Sequence, residues 1–186
     1  GAYELGYTHI LKKGTTMTAN VYFRDRNNLI TWYSEVDSNG VNLTTFQNLN
    51  SGEDVGLDMN FRGRLGKKGG FFTLGGNYFY SQVSGDIKGQ GWVNQGGSYG
   101  LNTMVSTPLW KNASLQIMGN YRSRRVMAQG FGKPFYFIGG GFKQGFMDDR
   151  LNLSVNCRDI FNTMGWNYES AGPNWTQEGQ YRWMSR

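Results

Sequence analysis

Arg150-Leu151-Asn152-Leu153-Ser154-Val155-Asn156-Cys157-Arg158-Asp159-Ile160-Phe161-Asn162-Thr163 is the stretch whose reading decides the fold. Its first half alternates strictly. Leu151, Leu153, Val155 and Cys157 fall on one face of an extended strand, and Asn152, Ser154, Asn156 and Arg158 on the other. Asp159 falls in the apolar register near the strand end, where a bulge could turn it to the other face.

The same alternation recurs along the chain. Met17, Ala19, Val21 and Phe23 alternate with Thr18, Asn20, Tyr22 and Arg24, and Val55, Leu57, Met59 and Phe61 with Gly56, Asp58, Asn60 and Arg62. Further apolar sets are Phe72, Leu74, Tyr78 and Tyr80; Tyr99, Leu101, Val105 and Leu109; and Leu115, Ile117 and Tyr121. Period-2 patterning predicts strands at 2–11, 15–26, 53–65, 70–83, 95–109, 113–127, 134–146, 150–162 and 177–186, each with one wet and one apolar face. Gly139-Gly140-Gly141 interrupts the seventh; with no helix after it, it reads as a bend or a close approach of neighbouring backbone, not a phosphate loop.

The connections alternate in length. Those at 12–15, 66–69, 110–112 and 147–149 are short, whereas 27–52, 84–94, 128–133 and 163–176 are longer, the layout of a transmembrane barrel with tight periplasmic turns and long outer loops. A soluble barrel also alternates, with its apolar residues inside. Three features favour the membrane: large polar-face residues such as Arg62, Arg64, Gln116, Arg122 and Arg124; aromatics at the rims (Phe72, Tyr80, Trp110, Tyr136, Phe146, Trp183); and the systematic loop asymmetry. The expected fold is all-β: an antiparallel up-and-down meander of about nine strands forming part of a larger transmembrane β-barrel.

Composition agrees. The 186 residues include 28 Gly, 12 Phe, 11 Tyr and 6 Trp but only 3 Pro, spread along the whole length, which suits one unit of twisted strands. No run approaches the roughly 18 apolar residues of a membrane helix. The net charge of +6 is dispersed, with lysines at turns (Lys12, Lys13, Lys67, Lys68, Lys111) and arginines on polar strand faces, so no nucleic-acid-binding arm is formed. The single Cys157 leaves no intrachain disulfide and no multi-Cys metal site, and reads as a small apolar filler.

Asp159-Ile160-Phe161-Asn162-Thr163 resembles the Asp-Ile-Phe-Asn-Thr that closes the penultimate barrel strand of TonB-dependent outer-membrane receptors, particularly the outer-membrane β-barrel family of Bacteroidetes-type bacteria. Gln180-Tyr181-Arg182-Trp183-Met184-Ser185-Arg186 looks like that family's lead into the last strand. The resemblance implies that residues 1–186 are one segment, the C-terminal part of a barrel of about 22 strands. Its plug, its TonB box and the last strand's terminal aromatic do not occur in these residues. It implies a bacterial outer-membrane location, with outer-membrane lipid, a plug domain and TonB as partners.

No catalytic, cofactor or metal constellation is evident. His9 lacks a nucleophile and an orienting acid, so it reads as a rim histidine. Glu53-Asp54 and Asp148-Asp149 are turn chemistry without calcium-loop spacing, and the sequons at Asn42, Asn112, Asn152 and Asn174 read as chance. The long loops are more informative. Residues 27–52, with the turn signal Asp37-Ser38-Asn39-Gly40, predict a projecting β-ribbon. Trp32 and Tyr33 there, Trp92 in the next loop, and Trp166, Tyr168 and Trp175 in the last are ligand-binding candidates through stacking and hydrogen bonding, set against plain loop packing or an interfacial place. Arg62, Arg64, Asn120, Arg122, Arg124 and Arg158 are the expected lumen-facing polar residues. The reading is therefore a non-enzymatic barrel segment of a receptor importing a small-molecule, sugar or peptide ligand. A passive porin or structural barrel, and a small soluble binding barrel, are the alternatives.

Overall fold

The computed structural model describes residues 1–11, 14–37, 39–87, 90–172 and 175–182, with backbone alone at 49, 50, 87 and 90. Lys12, Lys13, Ser38, Asn174 and the segment 183–186, with Trp183, lie outside the described residues. The elements are β1 (Ala2–Ile10), β2 (Thr16–Val36), β3 (Asn42–Leu65), β4 (Gly70–Ile87), β5 (Gln90–Pro108), β6 (Ala113–Arg122), β7 (Arg125–Met127), β8 (Gly130–Gly132), β9 (Phe135–Phe146), β10 (Leu151–Cys157), β11 (Gly165–Gly172) and β12 (Trp175–Arg182). All pairings are antiparallel. One sheet of eight runs β1-β2-β3-β4-β5-β6-β9-β10, and a second of four runs β12-β11-β8-β7.

Register shows why the larger sheet has two characters. Directly opposed residues share a face, and one row across five strands reads Leu5, Val21, Leu57, Tyr78, Tyr99. Another reads Phe72, Val105, Ile117, Gly140, Cys157. The apolar sets predicted from alternation thus coincide on one face. The opposite face carries the row Asn20, Asp58, Asn77, Gly100, Arg122 and the row Thr18, Asn60, Gly75, Asn102, Asn120.

The apolar face is the outer one. Leu5 is 77% exposed, Val155 59% and Ile117 47%, while among the described residues only Tyr22, Ala113 and Val126 are buried hydrophobics. A water-soluble barrel would bury these leucines and valines; a sheet with its apolar side out needs lipid to cover it. No helix of the described residues is long and apolar enough to cross a membrane, which leaves crossing by strands open. Tyr80 and Tyr136 lie towards one end of this face and Phe72, Trp110 and Phe146 towards the other, as interfacial aromatics do. At the Trp110 end the indole donates to Gln144 Oε1 at 2.8 Å.

The connections expected to be short lie together at one end. Leu109 and Ala113 close one with backbone bonds, Gly66 and Gly69 take positive φ in another, and Met147, Asp148 and Asp149 are left-handed in succession in a third. Leu11 N bonds to Thr15 O across the first. At the other end the expected loops are largely strand. The ribbon predicted within 27–52 forms in one constant register from Thr16 opposite Arg62 to Val36 opposite Asn42, interrupted only at Asn28, whose φ is 57°, and capped by the Asp37 carboxylate accepting from Asn39 N and Val41 N, both at 2.8 Å. The 84–94 connection likewise continues β4 and β5. Crossing a bilayer takes only about 9–11 residues of strand, so the 21 residues of β2 and the 24 of β3 also build a tier beyond it.

Two further boundaries move, each for a local reason, and one strand has a different partner. The strand expected at 113–127 ends at Arg122 because Ser123 Oγ, in place of a backbone carbonyl, accepts from Tyr99 N at 2.7 Å and the chain leaves the sheet. The strand expected at 150–162 ends at Cys157. The following Asp159–Thr163 is a turn: the Asp159 carboxylate accepts from Met164 N at 2.5 Å and from Thr163 Oγ1 at 3.2 Å, Asn162 takes a φ of 53°, and Ile160 N reaches Ile138 O. Asp159 is therefore a turn cap and not a lipid-facing charge. The described part of the expected last strand, up to Arg182, belongs to β12, which pairs with β11 instead of β10. β1 and β10 are left as the edges of the larger sheet.

Gly139–Gly141 lies inside an unbroken β9 and marks a close approach, not a bend. A Cβ on Gly139 would sit 2.6 Å from Arg158 O and one on Gly141 2.5 Å from Asn156 Oδ1.

Candidate functional site

The upper tier folds over the polar face of the sheet. At Ser123 the chain turns into the β7–β8 hairpin, and Val126 packs against Gly96, where a Cβ would meet its Cγ2 at 3.2 Å. Asn94 Nδ2 holds the hairpin turn by donating to Met127 O at 2.8 Å and Gly130 O at 2.9 Å. From that turn Gln129 reaches the β2 ribbon: its Nε2 donates to Ser34 O at 2.9 Å and its Oε1 accepts from Ser34 N at 2.7 Å. β8 passes the architecture on to β11 through Tyr168 opposite Gly132, and β11 to β12. β12 then returns to the ribbon tip, where Asn42 Nδ2 donates to Gln177 Oε1 at 2.7 Å.

Between ribbon and small sheet lies a chamber of about 760 Å³, within the roughly 300–1,000 Å³ of small-molecule sites. Trp32, Trp166, Tyr168 and Tyr181 are in its wall, together with Ser34 and Gln177. Trp32 is held by Phe46 across the ribbon at 3.9 Å between ring centroids, and Trp166 and Tyr168 lie 6.3 Å apart. A second chamber of about 400 Å³ is lined by Tyr33, Trp92 and Phe131, and Ala128 and Gln129 stand between the two. Trp92 Nε1 is buried there without a hydrogen-bond partner. Of the six candidate aromatics, three share the larger chamber and two the smaller. Trp175 lines neither; its indole lies against Gly172, where a Cβ would be 2.3 Å from Nε1.

Below the larger chamber Arg26 pairs with Asp54, which also accepts from Ser81 Oγ. The Asp54 side chain is 13% exposed and that of Arg26 44%, so the carboxylate is largely withdrawn from water while the guanidinium is not, and Ser81 holds the carboxylate as a third partner. Beneath it a polar chamber of about 610 Å³ is lined by Asn20, Asn77, Asn102, Asn120 and Arg122. Gly75 makes room for this amide cluster: a Cβ there would fall 1.9 Å from Asn102 Oδ1 and 2.8 Å from Asn60 Oδ1.

The six polar-face residues named from sequence separate into places. Asn120 and Arg122 are in the polar chamber, and Arg122 lies 4.4 Å over the Phe135 ring. Arg62 and Arg64 line a recess at the tight-turn end with Thr16 and Lys67. Arg124 is off the sheet, 3.2 Å over the Phe131 ring in the mouth hairpin, because the strand breaks at Ser123. Arg158 follows the end of β10 and is exposed. His9 sits beside the first tight turn, its Nδ1 3.3 Å from Tyr7 OH.

Sequence reasoning missed Gln129, Ser34, Asn42, Gln177 and Asn94, polar residues with no pattern to single them out. Arg26–Asp54 did carry a signal. With Asp37 opposite Val41 at the tip, the register places Arg24 opposite Asp54, with Arg26 one step up the same face.

An outward apolar belt, tight turns at one end and a structured mouth at the other are the physical signature of an outer-membrane barrel wall. No curated protein and no solved structure matches the chain. The model of one protein family does, over residues 1–186, and the chain belongs to that family, the outer membrane protein beta-barrel family, which places it in the outer membrane.

Proposed function

We propose that the chain forms wall and mouth of a TonB-dependent outer-membrane receptor, importing a scarce iron chelate, oligosaccharide or peptide with energy that TonB delivers to a plug domain. Its part is binding and passage, with no catalytic step. The observation that carries this reading is the covered mouth. Gln129 and Asn42 tie hairpins across the polar face, and the space they roof is walled by Trp32, Trp166 and Tyr168. Rigid aromatics with amide and hydroxyl neighbours hold a solute by stacking and hydrogen bonds at low entropic cost. A passive porin has use for an open aqueous path, whereas a receptor must capture a dilute ligand before moving it.

The test is uptake by intact cells making the full-length protein, using a labelled ferric chelate, a labelled oligosaccharide and a labelled peptide, with and without TonB. Saturable, TonB-dependent uptake of one probe, weakened by Trp32→Ala together with Trp166→Ala, is the expected result. Uptake that is non-saturable and indifferent to TonB would establish a passive barrel in its place.

A further inference from the structure

The outer aromatic chamber and the inner polar one meet at a shared partition made of Arg26, Asp54, Phe79 and Arg125. Charge on the inner side is unbalanced. Arg24, Arg26, Arg122 and Arg125 face it, against Asp54 and Asp58. Asp54 is already engaged by Arg26 and Ser81. Arg24 lies 4.2 Å over the Tyr22 ring and Arg122 over Phe135, contacts that hold a guanidinium in place without neutralising it. Among the described residues Arg24, Arg122 and Arg125 join no ion pair.

Two buried groups in this wall also lack partners. Ser98 is 1% exposed and its Oγ has no hydrogen bond; Arg122 Nε has none either. A guanidinium N–H can only donate, so what is missing beside it is an acceptor. The nearby asparagine amides both donate and accept, the capacity that a solute's hydroxyl groups require.

We propose that this chamber is a second binding site, inside the barrel wall, selective for small hydroxyl-rich solutes that carry a carboxylate. The carboxylate is held by Arg122 and Arg125, and the hydroxyls by the amides of Asn77, Asn102 and Asn120. The inference rests on the polar face being the lumen; it does not depend on TonB coupling.

Equilibrium binding of labelled glucuronate and labelled glucose to outer-membrane preparations containing the full-length protein tests it, against preparations lacking the protein. Glucuronate should bind at least about tenfold more tightly than glucose, a charge-assisted contact being the difference. Sulfate should displace it, and Arg125→Gln should remove most of the preference. Equal binding of the two sugars, no specific binding of glucuronate, or glucuronate indifferent to sulfate would overturn the proposal. If Arg125→Gln fails to assemble, sulfate competition on the unsubstituted protein decides alone. In a Cys157→Ser background, labelling of Asn120→Cys and Ile117→Cys by a membrane-impermeant thiol reagent separates the underlying premise: reaction at 117 but not 120 would remove the lumen reading, and this site with it.

Discussion

Gln129 grips Ser34 through both ends of one carboxamide, donating to its carbonyl at 2.9 Å and accepting from its amide at 2.7 Å. This is the pattern a neighbouring strand would supply, delivered by a side chain to a ribbon edge 95 residues away in sequence.

Gln129→Ala should therefore free the roof without unfolding the wall. Two hydrogen bonds at about 0.5–1.5 kcal/mol each set the scale of the loss. Hydrogen exchange should accelerate at the Ser34 amide while the membrane-embedded amides of β3 stay protected. Unchanged exchange at Ser34 would show that the hairpin is held by other contacts.

Val55→Arg and Ile117→Arg each place a cation on the apolar face and should impair assembly by about 2–4 kcal/mol near the midplane, whereas Asn60→Arg should be mild. Heat-modifiability of the full-length protein on gels reads the difference. Equal effects at all three positions would contradict the sidedness of β3 and β6.

Gly56 sits in the polar row between Tyr22 and Phe79, and a Cβ there would lie 2.5 Å from the Tyr22 ring and 2.8 Å from Phe79 Cβ. Gly56→Val should cost about 1–3 kcal/mol, as overpacking does. Gly91, where an added Cβ would find nothing within 4 Å, should accept alanine with little change. Denaturant midpoints of the two variants test the contrast.

Asp159 should titrate low. Its modest desolvation favours the protonated acid, but bonds from the Met164, Thr163 and Phe161 amides and the Thr163 hydroxyl outweigh this and hold the carboxyl below the ordinary carboxylate value. Because the folded value lies under the unfolded one, the turn's stabilisation is complete above the unfolded pKa, about 3.9, and is lost as pH falls through the folded value. The Met164 amide resonance should accordingly shift with a midpoint below about pH 3.9, and Asp159→Asn should abolish that titration. A midpoint at or above the free value would contradict the turn geometry.

β1 and β10 each present one unpaired edge, which hydrocarbon does not tolerate. Residues 1–186 expressed alone should give no closed monomeric barrel, and any ordered form should pair those edges with other chains. Light scattering in detergent together with heat-modifiability decides it: a stable monomer with closed-barrel behaviour would refute the expectation that this is a segment of a larger barrel.

How much of this could be read in advance differs from place to place. The sidedness of β3 was visible because Val55 to Arg62 alternates without exception, and a register slip would have put arginine in lipid. The break at Ser123 was signalled only weakly: Ser123 and Arg125 fall in the apolar register of Leu115, Ile117 and Tyr121, and the Ser123 hydroxyl, taking a backbone role, turns the chain away. Asp159 looked like a strand residue out of place because its job, capping a turn, depends on amides that are in position only once the turn forms. The aromatics of the mouth stood out by type, yet which of them share a space depends on the Gln129 and Asn42 ties, long-range bonds between residues of ordinary composition.

The constant register of β2 against β3, from Thr16 opposite Arg62 to Val36 opposite Asn42, also limits how such a protein can change. Inserting one residue low in either strand would swing Trp32 out of its chamber and, in the same stroke, invert inside and outside for every residue on one side of the insertion. Viable length changes along this ribbon must come as even numbers matched on both strands, or be confined to its tip between Asp37 and Val41. The mouth can therefore diversify freely only where it is farthest from the membrane.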